Sequence, residues 1–383
     1  MINRIGQANV GLFSACSNFQ IRNVSLVNIA VFGAGTMGSL IGSATSGNLT
    51  EIKISGNITG TTHSKYVGGI VGSFTNSNIS NSLFNGRINL SERFTGGLIG
   101  RYLNGTIINC SFTGIVLGIS DNTGGLMGYT WGVNGENLWA NGIVMGEVYS
   151  GMIVGRSNGD QFINVMGNGT VSGSLSVGGL FGDLVGNVTN ASANGKVLGD
   201  ARCGGLVGRH SSGTISNSYS TCNVNFTYNT TTSAGAFAGI NYARIINCYS
   251  IGSVHREYGS AITECGFVGE IGEGEGCEMR GNFWDLETSG QTSSAGNATG
   301  KTTAQMRHLM TYTEAEWDIV DVTESDLDTA HAWNMIDGIS YPFLSWCPAI
   351  QMKIESPNLN QEFSRTPPTF RVRIVSAFLI STI

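Results

Sequence analysis

Acidic side chains in the first 200 positions are the residues whose chemistry could cleave a glycosidic bond. That reaction needs two carboxyl groups, or an Asp with an Arg or Lys, together on one face of the fold. The acids here are few and widely spaced: Glu51, Glu92, Asp121, Glu136, Glu147, Asp160, Asp183 and Asp200. Asp121, Glu147 and Asp200 fall in predicted turns, where solvated acids are expected. We therefore predict no catalytic residue and no enzymatic activity.

Histidine and cysteine spacings bear on metal chemistry. None of the histidines (His63, His210, His255, His308 and His331) lies in the His-Glu-x-x-His pattern of zinc peptidases. The 8 cysteines include no Cys-x-x-Cys, so the sequence predicts no metal site and no cofactor. Cys110 and Cys248 share one register and are predicted to be buried. Cys265 with Cys277 is the one candidate disulfide.

An acidic stretch near the C-terminal end has oxygens that Ca²⁺ could use, but it lacks the ordered spacing of an EF-hand loop. Its members are Glu314, Glu316, Asp318, Asp321, Glu324, Asp326 and Asp328. We favour a solvated loop there. The net charge of −6 and the absence of a Lys/Arg cluster argue against a nucleic-acid partner. No apolar run reaches the roughly 18 residues of a transmembrane segment.

A Gly-Gly-aliphatic-aliphatic-Gly box returns about every 28 residues and must position the side chains named above that lie in the first 280 residues. Five full copies are present, and worn copies end at Ser14, Gly42, Gly155, Gly239 and Gly269. The full copies are Gly68–Gly72, Gly96–Gly100, Gly124–Gly128, Gly178–Gly182 and Gly204–Gly208. A fixed period of this length indicates one supersecondary unit stacked about ten times.

An Asn follows each box by about nine residues, with Glu51 in one copy. The positions are Asn23, Asn81, Asn109, Asn137, Asn164, Asn190, Asn217, Asn247 and, in the last copy, Asn282. Apolar residues stand two before, one after and three after it, which no unbroken strand can place on one face. We predict a corner or bulge at the Asn, a residue that tolerates the left-handed conformation. The predicted fold is all-β, a β-solenoid of about ten coils with an interior Asn ladder. Phe84, Phe112, Trp139, Tyr219 and Tyr249 are interpreted as one inward aromatic row, with a sugar-stacking row as the alternative.

The boxes, followed by segments such as Gly213-Thr214-Ile215-Ser216-Asn217, resemble the GLUG repeat over about residues 9–282. This resemblance implies a large bacterial or archaeal surface or secreted protein. Filamentous adhesins and the non-catalytic parts of IgA-specific metallopeptidases carry such repeats.

The segment after the boxes resembles the one that commonly closes such arrays, through Asn282-Phe283-Trp284-Asp285 and Tyr341-Pro342-Phe343-Leu344-Ser345-Trp346. We predict a solenoid over 1–282 and a capping segment over 283–347, with a helix that Thr302 or Thr303 caps and that runs to about Met310. Residues 348–383 resemble the start of an immunoglobulin-like β-sandwich and hold two of its strands. We interpret the chain as truncated, which accounts for the missing signal peptide.

These observations predict a non-enzymatic cell-surface or secreted β-solenoid that acts as an adhesin, a stalk or a surface-layer component. The alternative is a carbohydrate-active right-handed β-helix that binds or cleaves polysaccharide. Glycans and other surface proteins are the candidate partners. The uncapped coil at residues 9–33 is a predicted site of edge-to-edge self-association.

Overall fold

The computed structural model of the chain describes residues 1–4, 6–89, 93–119, 121–227, 233–258, 264–273, 276–323, 327–346, 351–356 and 371–375. The chain divides into two compact units, Met1–Met306 and Arg307–Ile383. The domain limits proposed from the sequence at 282 and 347 remain a prediction. No helix among the described residues is long and apolar enough to cross a membrane.

The first unit consists almost entirely of strands. They are β1 (Ile2–Arg4), β2 (Asn9–Val10), β3 (Phe13–Ser17), β4 (Gln20–Gly38), β5 (Ile41–Thr45), β6 (Asn48–Gly68), β7 (Val71–Ser80), β8 (Leu83–Asn89), β9 (Phe94–Gly96), β10 (Ile99–Leu117), β11 (Asn122–Gly124), β12 (Met127–Met145), β13 (Tyr149–Gly151), β14 (Val154–Asn158), β15 (Asp160–Ser172), β16 (Leu175–Gly178), β17 (Phe181–Gly199) and β18 (Ala201–Gly204). The strands that follow are β19 (Val207–Ser212), β20 (Thr214–Ser216), β21 (Tyr219–Ser220), β22 (Asn223–Phe226), β23 (Ala234–Gly235), β24 (Ala238–Asn241), β25 (Arg244–Ile246), β26 (Tyr249–Ser250), β27 (Val254–Arg256), β28 (Val268–Ile271), β29 (Met279–Arg280), β30 (Phe283–Asp285) and β31 (Thr299–Lys301). Two one-turn helices lie near its end, α1 (Leu286–Ser289) and α2 (Thr303–Met306).

Strands of successive coils pair in parallel and in register. Ile99 pairs with Val71 on one side and with Met127 on the other. Phe112 pairs in the same way with Phe84 and Ala140. The chain therefore climbs one strand spacing per coil and completes about nine turns. The predicted all-β solenoid is confirmed. Its ten box positions mark the ends of about nine complete turns.

Each coil turns a corner at the Asn position. The corner residues all have left-handed φ, between 46° and 59°: Asn23, Glu51, Asn81, Asn109, Asn137, Asn164, Asn190, Asn217 and Asn247. Such a residue reverses the inward–outward alternation, so Ile107 before the corner and Cys110 and Phe112 after it are all buried. The corner prediction is confirmed, and Glu51 takes the same conformation.

The Asn ladder lies on the outside of the corner, so the predicted interior ladder is wrong. Asn81 and Asn109 are exposed. Coil by coil, the Nδ2 of one Asn donates to the Oδ1 of the previous one at 3.0–3.1 Å, from Asn81 to Asn190. The residues that point into the core lie on either side of the corner, so the side chain of the corner residue points outward.

The box places two aliphatic side chains in the core next to each other. Leu98 and Ile99 are both fully buried, as are their counterparts in the neighbouring boxes, Ile70 with Val71 and Leu126 with Met127. The box glycines leave room for this bend. A methyl group on Gly97 would overlap the carbonyl oxygen of Gly125 in the next coil. The box is therefore a packing motif of the solenoid wall.

A second ladder consists of glycine. Gly56, Gly114, Gly142, Gly169 and Gly195 have φ between 123° and 151°, a region that side chains rarely adopt. A Cβ on Gly114 would also overlap the carbonyl oxygen of Gly86. Glycine is therefore required here both for its backbone conformation and for the close approach of two coils.

The last coil departs from the predicted register by one residue. Asn247 is aligned with the position of Gly281, because Ile246 pairs with Arg280 and Tyr249 with Phe283. Gly281 has a φ of 63°. Asn282 instead points inward, where its Oδ1 accepts from the Cys248 amide at 3.0 Å and its Nδ2 donates to the Ile245 carbonyl at 2.7 Å.

The predicted helix is present as two short pieces. Thr302 caps α2, since its Oγ1 accepts from the Gln305 amide at 3.2 Å and Gln305 Oε1 accepts from the Thr302 amide at 3.0 Å. The helix ends at Met306, and α3 (Met310–Thr313) follows in the second unit. Asp337 Oδ1 accepts from the intervening Leu309 amide at 2.7 Å, where a continuous helix would use a carbonyl.

The second unit contains α3 and a three-stranded sheet of β32 (Ile319–Asp321), β33 (Trp333–Met335) and β34 (Phe343–Leu344). Tyr312, Trp317 and Trp333 form its core, with ring centroids 4.8 and 5.0 Å apart. Beyond these, β35 (Gln351–Ser356) and β36 (Arg371–Val375) pair antiparallel. The rest of the predicted immunoglobulin-like segment lies outside the described residues.

Candidate interaction surface

The acids of the repeat region are spread over several coils where they are described. Asp121, Glu147 and Asp200 lie in turns between strands, as predicted. Asp183 is buried and meets Arg156 Nε at 3.3 Å, and its Oδ1 accepts from Ser211 Oγ at 2.6 Å. Glu92 lies outside the described residues. Among the described acids, Asp121 and Glu147 lie in turns of adjacent coils, since the Tyr149 amide donates to the Asp121 carbonyl at 2.8 Å.

Asp160 is enclosed in the solenoid and is 1% exposed. It accepts from the Val133 amide at 2.8 Å, from the Asn158 amide at 3.1 Å and from the Thr130 hydroxyl. Burial raises the pKa of Asp160 to about 6, because desolvation outweighs these hydrogen bonds. Its partners are the solenoid's own backbone and side chains, so its role is structural.

His210 is a second buried titratable group. Its Nδ1 lies 2.8 Å from Asn241 Oδ1, which also accepts from the Ala243 amide. Nδ1 is therefore the protonated nitrogen of a neutral ring. Burial lowers the pKa of His210 to about 4, so His210 stabilises the fold above pH 6.5 and loses that contribution as the pH falls through 4.

The stability that Asp160 contributes changes with pH in the opposite direction to that of His210, and this gives a test of the burial of Asp160. A carboxyl group whose pKa is raised in the fold stabilises it most below about pH 3.8, and that contribution is lost as the pH rises through 6. The unfolding free energy of the parent should fall by about 2–3 kcal/mol between pH 4 and 7, and that of Asp160→Asn should not show this fall. Urea unfolding at several pH values measures it. If the variant and the parent keep the same pH slope, Asp160 is not desolvated.

The described cysteines are all free thiols: Cys16, Cys110, Cys203, Cys222, Cys248, Cys265 and Cys277. Cys110 and Cys248 are buried, as predicted, and burial raises the pKa of the Cys110 thiol to about 12. Cys265 and Cys277 do not form the candidate disulfide, and Cys277 Sγ instead accepts from Asn241 Nδ2 at 3.2 Å. In the described part of the chain, no three His, Cys, Asp or Glu side chains gather as a metal site would require.

In the acidic stretch of the second unit, three carboxylates accept hydrogen bonds from backbone amides. Asp318 Oδ2 accepts from Ala332, Asp321 Oδ1 from Asp337 and Asp328 Oδ1 from Ala330, at 2.7–3.0 Å. Glu324 and Asp326 lie outside the described residues. These hydrogen bonds hold the loops of the unit together.

The proposed aromatic row is in fact two rows on opposite faces. Phe84 and Phe112 stand three residues after the corner and point inward, with ring centroids 6.4 Å apart. Trp139, Tyr219 and Tyr249 stand two residues after it, on the outward side. Tyr219 and Tyr249 stack at 5.1 Å with parallel rings. The inward prediction is confirmed for the two phenylalanines. In the second row Tyr249 is buried, at 2% exposure, whereas Trp139 and Tyr219 are half-buried on the outward side.

Another aromatic group, which the sequence did not single out, lies on both sides of the box. We call it the aromatic–arginine face, made of Tyr66, Phe94, Arg101, Tyr129, Trp131 and Arg156. Phe94 stacks between Tyr66 and Tyr129 at 5.3 and 5.0 Å. The Arg101 guanidinium lies 5.1 Å from the Tyr66 ring centroid. Stacking along the solenoid axis covers the ring faces, so this ladder presents ring edges outward.

Trp131 differs from its neighbours in being 53% exposed. It lies in the outward row next to Leu103 and Asn158 of the adjacent coils. Arg156, also exposed, is held by Asp183 and lies 5.1 Å from the ring centroid of Tyr149. The Arg156 side chain is thus held in place, which suits a surface that binds without rearranging.

The first coil presents a strand edge. Phe13–Ser17 pairs with β5 only, and Gln20–Leu26 pairs with β6 only, among the described residues. Leu12, Phe13 and Val27 are 47%, 45% and 71% exposed. Self-association at this edge remains a prediction.

Stacked parallel coils with continuous ladders define a β-solenoid repeat protein. Residues 95–117 match the family model described as the GLUG motif, which confirms the resemblance for that coil. The matched stretch holds the box Gly96–Gly100 and the Asn109 corner. No curated protein matches the chain.

A solved structure described as a "putative immunoglobulin A1 protease" from Bacteroides ovatus is similar over 86% of this chain and 87% of its own. The identity is 16% and the TM-score is 0.38. That TM-score is too low for the other protein's description to bear on this chain.

Proposed function

We propose that the chain is a non-enzymatic part of a surface or secreted protein, a rigid β-solenoid that holds an adhesive face. The aromatic–arginine face carries this proposal. Trp, Tyr and Arg dominate the binding energy of protein interfaces, and Trp131, Tyr129 and Arg156 lie together there on a fixed sheet. The surface or secreted location is supported by the GLUG motif at 95–117.

The distribution of acids supports the absence of catalysis. Glycoside cleavage needs two carboxyl groups facing one bond. Asp160 is enclosed by hydrogen bonds in the interior. Asp183 is paired with Arg156 but is only 1% exposed, so a substrate does not reach its carboxylate. The alternative, a carbohydrate-active β-helix, is therefore favoured only as a binding protein and not as one that cleaves.

Protease treatment of intact source cells tests the location. Peptides from residues 60–280, identified by mass spectrometry, should be released while cytosolic marker proteins stay inside. Recovery of these peptides from the cytosolic fraction alone would contradict a surface or secreted role and would reopen the enzymatic hypothesis.

Trp131→Ala tests the adhesive face. We expect beads coated with the variant to adhere at least about fivefold less than parent-coated beads to mucin-coated or fibronectin-coated glass, since a central aromatic anchor contributes about 2 kcal/mol or more. Ile163→Ala is the matched control, because Ile163 is 45% exposed in an outward row next to the Asn corner. Equal adhesion of parent and Trp131→Ala would show that this face is not adhesive.

A further inference from the structure

A polar groove lies where the last coil leaves strand geometry. Strand β30 ends at Asp285, whose Oδ1 caps α1 by accepting from the Glu287 and Thr288 amides at 2.8 and 3.1 Å. Strands β22 and β27 line one part of the groove, and α1 with Gly290 and Gln291 completes it. Its volume of about 610 Å³ is within the range of small-ligand sites.

Hydrogen bonds fix the groove before any ligand arrives. Gln291 is 2% exposed, its Nε2 donates to the Val254 carbonyl at 3.0 Å and its Oε1 accepts from the Cys265 amide at 3.1 Å. Asn223 Oδ1 accepts from both the amide and the hydroxyl of Ser253. Because the Asn223 Oδ1 accepts these two hydrogen bonds, the NH₂ group of Asn223 is the donor at the exposed surface of β22.

Donors and positive charge predominate in the lining. Lys196, Asn223, Asn225, His255 and Arg256 come from the solenoid wall. Among the described residues of the lining, Glu287 is the one carboxylate, and its Oε2 accepts from the Thr303 amide at 2.9 Å. A complementary ligand is therefore rich in acceptors and carries negative charge.

We propose that this groove binds an acidic saccharide of the uronic-acid type. Sugar hydroxyls fit the amide and hydroxyl groups of Asn223, Asn225 and Ser253, and the sugar carboxylate fits Lys196. An acidic peptide is disfavoured because, of the lining residues that the structure describes, Val254 is the one large apolar residue. A single carboxylate also fits binding without cleavage. The inference deepens the adhesive role proposed above by naming a ligand class at a site separate from Trp131.

Titration calorimetry with a purified oligogalacturonate tests it on the full chain. We expect saturable binding, at least tenfold weaker with the carboxyl-reduced neutral oligosaccharide. Lys196→Gln should weaken binding about fivefold or more, and Glu287→Gln should strengthen it, because a like charge is removed. Arg87→Gln is the matched control, since Arg87 lies in the same outward row several coils away and should leave binding unchanged.

Three results would overturn the inference: no saturable binding, equal loss in Lys196→Gln and Arg87→Gln, or a glutamate octapeptide that binds as tightly as the oligosaccharide. Circular dichroism of the variants, which change exposed side chains, checks the fold. The measurement is independent of location and of the Trp131 adhesion test. A negative calorimetry result therefore leaves the surface role unaffected, and a negative result in the Trp131 adhesion test leaves this site unaffected.

Discussion

Gly114→Ala is expected to destabilise the solenoid by about 4 kcal/mol or more. A side chain at a φ of 143° is strained, at a cost of about 1–2 kcal/mol. The added methyl group also overlaps the Gly86 carbonyl oxygen of the previous coil, so two paired strands must move apart. Urea unfolding followed by far-ultraviolet circular dichroism measures the change.

Gly276→Ala is the control that separates strain from overlap. Gly276 has a φ of 141°, almost the same as Gly114, but a Cβ there meets nothing within 4 Å. Its variant should lose only the conformational part, about 1–2 kcal/mol. If both variants lose the same amount, close approach of the coils contributes nothing at the glycine ladder.

Ile215→Asp is expected to cost about 4 kcal/mol or more, because it places a charge in the core without a partner. Ile215 is fully buried and stacks in register between Val188 and Ile245. Each coil contacts its neighbours only, so the damage should be greatest in the coils around it. Hydrogen exchange followed by mass spectrometry should show faster exchange in residues 188–250 than in residues 60–120.

The matched control for this change is Ile163→Asp. Ile163 is also an isoleucine in a strand beside the Asn corner, but it points outward and is 45% exposed. A surface change of this kind should stay within about 0.5 kcal/mol of the parent. A large loss at Ile163, or a small one at Ile215, would mean that the stacking register is wrong.

Local backbone chemistry explains why the solenoid was predictable. The box and the Asn recur with apolar residues on both sides, and an apolar pattern of −2, +1 and +3 requires the inward–outward alternation to switch at the Asn. The same pattern was misleading on two points. The Asn side chain was predicted to lie inside the corner and lies outside it, and Asn282 was predicted as the last corner where Gly281 takes that position.

The candidate surfaces were harder to predict from the sequence, because they depend on residues that are neighbours only across coils. Tyr66, Phe94 and Tyr129 are about 30 residues apart, so their stacking follows from register. The outward direction of Trp131 follows from the alternation within its strand. The groove depends on α1 leaving the sheet at Asp285, and neither the box nor the Asn period extends to that point.

The parallel pairing of coils has a mechanical consequence. Strands lie across the axis, so a pull along the axis would peel the ladder hydrogen bonds one coil at a time. Each coil holds about 28 residues, as in the pairing of Ile99 with Met127. It occupies about 4.8 Å of length when stacked and roughly 90 Å when extended. A stalk built this way would lengthen in steps and limit the force that reaches an attached partner.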